Sequence, residues 1–346
     1  MSSLPGSQRR GRASAWSMLR PGPRSALPQI LTWAPLGPAD NADLAALIAR
    51  CETVDDPPYR TTAEETAEYF ADPVYSGVAG RDEHGAMRAF GLVRLRPSEK
   101  VYASITGIVD PAWRRRGIGG SLLHWQTENA RHLIGAERAN ALERLEARIV
   151  ANVLENDERF ATHLGELGFT PRRWYREVRR DLAEPIADVE LDRFLEIVPW
   201  TEDLDDTVRR AHNNAFGGGW GADVATPEEW QAGRAYFAPR WSFVALDRSS
   251  DRTQVAGYLL SGRYEQDWEA LGWQEGYTDM LGVGGDHRRR HVGRALLTAA
   301  MRAYAADGMD YAAAGVDSDN PTGAVSLYES LGYVPTEGTV LYSLEV

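Results

Sequence analysis

The chain has 346 residues, 43% of them hydrophobic and 25% charged; at about 150 residues per domain this leaves room for two cores and excludes a stapled miniature scaffold or a disordered chain. No run nears the roughly 20 apolar residues of a membrane helix, and a net charge of -12 argues against binding nucleic acid by neutralising phosphates. The single cysteine, Cys51, excludes an internal disulfide or a zinc-thiolate cluster and fits a reducing, cytoplasmic setting.

Residues 1–27 carry Arg9, Arg10, Arg12, Arg20 and Arg24, no acid, and many Ser, Pro and Gly. They lack the apolar segment of a signal peptide and read as a disordered leader. Periodicity and punctuation then predict a strand at 30–33 and helices at 40–52 and 61–70, followed by strands at 74–80, 86–96 and 101–109. A helix over 117–132, a strand over 147–153, a short helix before Gly168 and a strand over 174–180 close the first half. A linker near 183–190 leads to the second half, with a strand at 196–200, helices at 203–216 and 227–237, and strands at 242–247, 254–264 and 275–283. Helix 293–306, strand 311–316, helix 322–331 and strand 339–345 complete it. The expected domains are 28–182 and 190–346.

The second half repeats the first. Arg114-Arg115-Arg116-Gly117-Ile118-Gly119, with Gly120 after it, recurs as Arg288-Arg289-Arg290-His291-Val292-Gly293, with Arg294 after it, and each copy leads to a Leu-Leu pair. Downstream, the spacing from Asn156 to Gly168 and Phe169 recurs from Asn320 to Gly332 and Tyr333. Two ordered matches indicate a duplicated domain.

Each Arg-rich segment sits between a predicted strand and a helix. Glycines there let the backbone turn tightly, the helix start offers unpaired N–H groups, and the arginines add fixed charge, so the segment suits an anion such as a pyrophosphate. Neither copy has the glycine and lysine pattern of a nucleotide P-loop or the third glycine of a dinucleotide fingerprint. His287 and His291 are four apart, but no HExxH glutamate or visible third ligand joins them, so no metal is expected.

On these residues the chain resembles the GNAT superfamily of acyl-CoA-dependent N-acyltransferases, in tandem over about residues 28–346. Its signature, Arg/Gln-x-x-Gly-x-Gly/Ala, is met by Arg114 to Gly119, whereas the second copy places His291 at the first glycine. The resemblance implies an α/β (α+β) class of two tandem GNAT folds, each a mixed, mostly antiparallel sheet flanked by helices, with a V-shaped splay between strands 4 and 5. It implies acetyl-CoA as the donor, held in the second half by Leu281, Val283, Arg288, Arg289, Arg290, Val292, Gly293, Arg294 and Asn320. In the first half the corresponding residues are Ile108, Val109, Arg114, Arg115, Arg116, Gly117, Gly119 and Gly120.

The family's pattern Asn-x-x-Ala-x-x-Leu-Tyr is matched with one shift of spacing by Asn320, Ala324, Leu327 and Tyr328, which implies that Tyr328 protonates the departing thiolate. The first half has Leu164 there, with His163 beside it: either His163 substitutes or that half is silent. Glu275, Tyr277 and Asp279 alternate along one strand and so share a face; Glu275 or Asp279 is the expected base, the alternative being an acidic rim that only attracts the amine. The corresponding first-half strand offers Ser104 and Thr106 and no carboxylate.

Phe216, Trp220, Trp230 and Trp241 fall in the region that in this superfamily covers the acceptor. They are expected to wall a pocket for a cation or sugar, the alternative being that two of the tryptophans are core. This stretch resembles the two-domain, mycothiol synthase-like members. The expected activity is N-acetylation of a small-molecule primary amine in a ternary complex, by a monomer or homodimer. Acetylation of a cysteinyl amino sugar, a protein or peptide acceptor, and a noncatalytic acyl-CoA sensor are the alternatives; a sensor has no use for an acid at Tyr328.

Overall fold

A computed structural model describes residues 27–71, 74–96, 100–140, 146–216, 224–232, 234–319 and 323–346. The leader expected at 1–27 therefore lies outside the described residues except for Leu27. Among the described residues twelve strands and eight helices follow the expected order, a ninth helix at Trp268–Leu271 being additional, and none of these helices is long and apolar enough to cross a membrane. The chain forms two compact units: Met1–Val54 with Ala63–Ala151 and Leu344–Val346, and Asp55–Thr62 with Asn152–Ser343.

The first unit holds β1 (Thr32–Pro35), α1 (Asn41–Asp55), α2 (Ala63–Glu68), β2 (Val74–Arg81), β3 (Met87–Arg96), β4 (Lys100–Val109), α3 (Ile118–Asn140) and most of β5 (Glu146–Leu154). The strands lie in the order β1-β2-β3-β4-β5, antiparallel except for β4 and β5. Alternation on β3 sends Phe90 and Leu92 toward Leu44, Leu47 and Ile48 of α1, and Ala89 toward Ile118, Leu122 and Trp125 of α3, so each face carries its own helix. Buried Leu133 and Ile134 continue this stripe, which is why α3 runs past the expected end at 132. The C-terminal residues lie along β5, where the Val346 N–H donates to the Ala147 carbonyl at 3.2 Å.

The second unit contains α4 (Glu158–Glu166), β6 (Thr170–Asp181), β7 (Leu195–Pro199), α5 (Asp205–Phe216), α6 (Pro227–Gln231), β8 (Phe243–Asp247), β9 (Gln254–Gly262) and α7 (Trp268–Leu271). β10 (Glu275–Val283), α8 (Val292–Ala306), β11 (Tyr311–Asp317), α9 (Ala324–Glu329) and β12 (Val334–Glu345) follow. Its strand order is β12-β6-β11-β10-β9-β8-β7, with β10 and β11 parallel and the other pairs antiparallel. α8 covers one face through Val292, Leu296, Ala300 and Tyr304. α5 and α6 cover the other, where Val208 and Trp230 pack on Val244, Tyr258 and Leu260.

The units divide the chain differently from the duplicated halves. β6, the last strand of the first half, pairs with β11 and β12 and belongs to the second unit. Its anchor is Arg180, only 5% exposed, whose guanidinium donates to the carbonyls of Leu331, Asp181, Glu184 and Pro185. Four carbonyls satisfy a buried cation that no carboxylate pairs among the described residues. α6 is shorter than the expected helix at 227–237, ending at a capped turn ahead of Gly233. β12 starts five residues before the expected 339, across register shifts at 335/338 and 341/342.

Candidate active site

β10 and β11 pair at only four positions, Glu275–Thr278 against Tyr311–Ala314. At that point the β9 register shifts between Thr278 and Met280, leaving Asp279 as an extra, bulged residue. Bulges bend a strand and interrupt its ladder. From there β10 follows β9 to Val283 while β11 follows β6 to Asp317, so a gap opens between them. β4 and β5 part in the same way after Ser104 and Val150. The splay between strands 4 and 5 is thus present in each half. β4, however, runs against β3 without a register shift.

At the end of the β10 gap the chain makes one 3-10 turn, Gly285–His287, and then enters α8. His291 is the residue before α8, and its side chain caps no amide, leaving the first-turn N–H groups open. Arg289 and His291 have φ of 62° each, matching Arg115 at 63° and Gly117 at 75° in the first half. This equates His291 with Gly117 and settles the register of the motif. A left-handed non-glycine residue costs roughly 1–2 kcal/mol, and the His291 loop carries that cost.

Gly293 lies inside the gap: a Cβ there would sit 3.2 Å from Leu327 Cδ2 and 3.5 Å from Val283 Cγ2. The open amides, the close approach at Gly293 and the parted strands together fit the pyrophosphate and arm of a coenzyme A thioester. Among the described residues Arg288 and Arg289 have no carboxylate partner, whereas Arg290 pairs with Asp247 and Asp192 at 3.4 and 3.8 Å. Arg294 donates to the Ser330 carbonyl. Arg290 and Arg294 are therefore engaged in holding the loop and α9. Asp247 also takes His287 Nε2 at 2.8 Å. Its carboxyl is held far below the usual range by the Ser249 hydroxyl and N–H and by His287.

In the first half, Gly119 is open, with only Val109 Cγ2 3.9 Å from an added Cβ. Arg114 Nε donates to the Val109 carbonyl at 3.1 Å, and Arg116 lies over the Trp113 ring at 4.6 Å. Ile108 and Val109 end the parted strand, and Gly120 lies in the first turn of α3.

Tyr328 comes from the α8 side. It is 6% exposed and packs edge-to-face on Tyr333 at 5.1 Å. Burial pushes its hydroxyl far above the ordinary tyrosine range, so it keeps its proton at neutral pH. Tyr304, bonded to Ser261 and Thr278, feels the charges of both Asp279 and Tyr328.

The opposite face carries the carboxylates. Asp279 accepts from Tyr264 Oη at 2.9 Å, and burial among these groups pushes it up to about 6. Glu275 accepts from Trp273 Nε1 at 2.8 Å and is raised by burial. Tyr277 donates to Glu177 of β6 at 2.9 Å. Glu275, Tyr277 and Asp279 share the expected face. The sequence does not indicate Glu177, because nothing local marks β6 as a partner of β11. Beside these carboxylates Tyr236, Tyr264 and Tyr277 contact in series at 5.3 and 5.8 Å.

Trp230 and Trp241, expected along a pocket wall, are core residues, 5% and 2% exposed. Their indole N–H groups are bonded to Asp205 and Asp307. Trp220 and Asn320 lie outside the described residues, as does the side chain of Phe216. In the first half, Leu164 is fully buried and His163 bonds the Arg159 carbonyl. A recess of about 550 Å³ beside Arg180 and Leu331 touches none of the candidate residues.

Residues 240–335 match the family model described as an acetyltransferase (GNAT) domain. That match, with the relatives that follow, supports an acetyltransferase with a GNAT-like domain over these residues. The chain is 27% identical over 266 residues to a protein named mycothiol acetyltransferase from Gordonia bronchialis, covering 74% of this chain and 78% of that one. Another of that name from Rhodococcus jostii is 27% identical over 318 residues, covering 87% and 94%. Among solved structures, a GCN5-related N-acetyltransferase from Sphaerobacter thermophilus superposes with a TM-score of 0.69 at 22% identity, covering 92% of this chain and 96% of that one. A tandem GNAT protein from the clavulanic acid biosynthesis pathway gives 0.68 at 17%, covering 91% and 98%. These structural likenesses establish the fold. His291→Gly is expected to relieve the left-handed strain and raise stability by about 1 kcal/mol, read as a higher urea midpoint at unchanged slope.

Proposed function

We propose that the second half moves an acetyl group from acetyl-CoA to the primary amine of a small molecule by direct attack in a ternary complex. The observation that carries this reading is the β10–β11 gap, with Asp279 on one face and Tyr328 on the other. Bound acetyl-CoA supplies the activated acetyl carbonyl. The first-turn amides of α8, with Arg288 and Arg289, hold its pyrophosphate, and the β10 backbone at Leu281 and Val283 lines its arm. Asp279, raised but ionised at neutral pH, takes the ammonium proton so that a neutral amine attacks. Tyr328 holds the proton that the departing sulfur requires.

The first half does not carry this chemistry. Counting back from the shared loop, Asp279 corresponds to Ile105, which is 7% exposed, and Tyr328 corresponds to Leu164. Two relatives named mycothiol acetyltransferase favour a second, finer reading in which the acceptor is a cysteinyl amino sugar.

Tyr328→Phe should lower kcat by about 10²-fold, in the span of a lost general acid, with the calorimetric affinity for acetyl-CoA unchanged; an unchanged kcat removes Tyr328 from the mechanism. The rate should rise with pH through about 6, because the base works only when deprotonated and Asp279 is held near that value. Asp279→Asn should abolish that limb and cost about 10²-fold in kcat, measured by thiol release against pH. If Glu275→Gln removes the limb instead, the base is Glu275.

A further inference from the structure

β6 belongs to the first half by sequence and to the second unit by packing. Its register against β11 sets Glu177 opposite Gly315 and Arg179 opposite Ala313. Residues two apart on a strand share a face, so both project toward the side that carries Glu275 and Asp279. Gly315 is the position of β11 nearest the parting strands. A Cβ on it would lie 3.0 Å from Tyr277 Oη and 3.3 Å from Glu177 Oε1, so its absence makes room for the hydrogen bond that Tyr277 donates to Glu177 Oε2 at 2.9 Å. Glu177 Oε1 has no hydrogen-bond partner among the described residues, and the side chain is exposed.

The Arg179 guanidinium carbon sits over two rings, 4.0 Å from the Trp273 centroid and 4.6 Å from that of Tyr311. A cation held this close over an indole restrains the ring. That ring's Nε1–H in turn donates to Glu275 Oε2 at 2.8 Å. One strand thus fixes both sides of the acceptor face: Glu177 holds Tyr277, and Arg179 holds the ring that orients Glu275.

We infer that β6 completes the acceptor site of the second half, with Glu177 as a specificity-determining residue whose Oε1 receives an N–H or O–H donor of the acceptor amine, and Arg179 as a positioning residue acting on Glu275 through Trp273. The inference rests on the acetyl-transfer reading above. It gives the first half a function that needs no chemistry of its own, since its final strand forms part of the wall of its partner's site.

The test uses the full-length chain, with thiol release from acetyl-CoA measured against glucosamine, cysteine and a cysteinyl glucosamine. Glu177→Gln should raise KM for the best of these acceptors roughly 10- to 100-fold, the span of a lost charge-assisted hydrogen bond. Its kcat should change less than about 3-fold, and calorimetric acetyl-CoA affinity should match wild type. Arg179→Met should lower kcat/KM for the acceptor about 10-fold and Arg179→Lys should recover part of it, because an ammonium over the indole keeps the cation–π attraction but not the guanidinium's fixed fork. An equal loss of acetyl-CoA and acceptor affinity, or an unchanged acceptor KM in Glu177→Gln, overturns the inference and leaves acetyl transfer standing. Wild type that releases no thiol with any of the amines overturns both.

Discussion

A single extra residue in β10 underlies the site. Asp279 bulges out between Thr278 and Met280, and the strand then leaves β11 after four paired residues. Parallel strands bonded along their whole length would leave no polar backbone free and no space between them. The parting supplies that space, the bulge places a carboxylate at its edge, and Tyr328, held on the other face by the α8 core, faces the same gap. The close packing of Gly293 on Leu327 and Val283 and the open amides of α8 then define the end of that gap.

The two halves show how much one residue decides. They share the loop, down to left-handed residues at matching positions, and both have strands that part. β4 keeps an unbroken register with β3, Ile105 stays in the core, and no acid or base takes its place. The first half keeps the fold, while its last strand is built into the second unit. There Arg180 is bonded to four carbonyls, and Glu177 and Arg179 reach the acceptor face.

The duplicated arginine motifs and the order of strands and helices were legible because they rest on local period and on glycine punctuation. Asp279 and Glu275 were legible as a face, since alternation along a strand fixes it. The bulge was not: nothing in Tyr277-Thr278-Asp279-Met280 announces a register shift, which depends on how β9 and β11 compete for the same strand. Glu177 was hidden for a topological reason, because its partner Tyr277 is 100 positions away. Trp230 and Trp241 sit in a stretch whose composition suggests a pocket wall, but carboxylates at Asp205 and Asp307 bind their indole N–H groups and let them pack into the core.

The central claim is that the gap of the second half takes the acetyl donor. Calorimetric titration of acetyl-CoA into wild type, Gly119→Trp and Gly293→Trp tests it most directly, because an indole at 293 must occupy the space beside Leu327 and Val283. The account predicts that Gly293→Trp abolishes the binding that supports thiol release while Gly119→Trp retains it. Binding and turnover that survive Gly293→Trp, or that vanish only with Gly119→Trp, would contradict it.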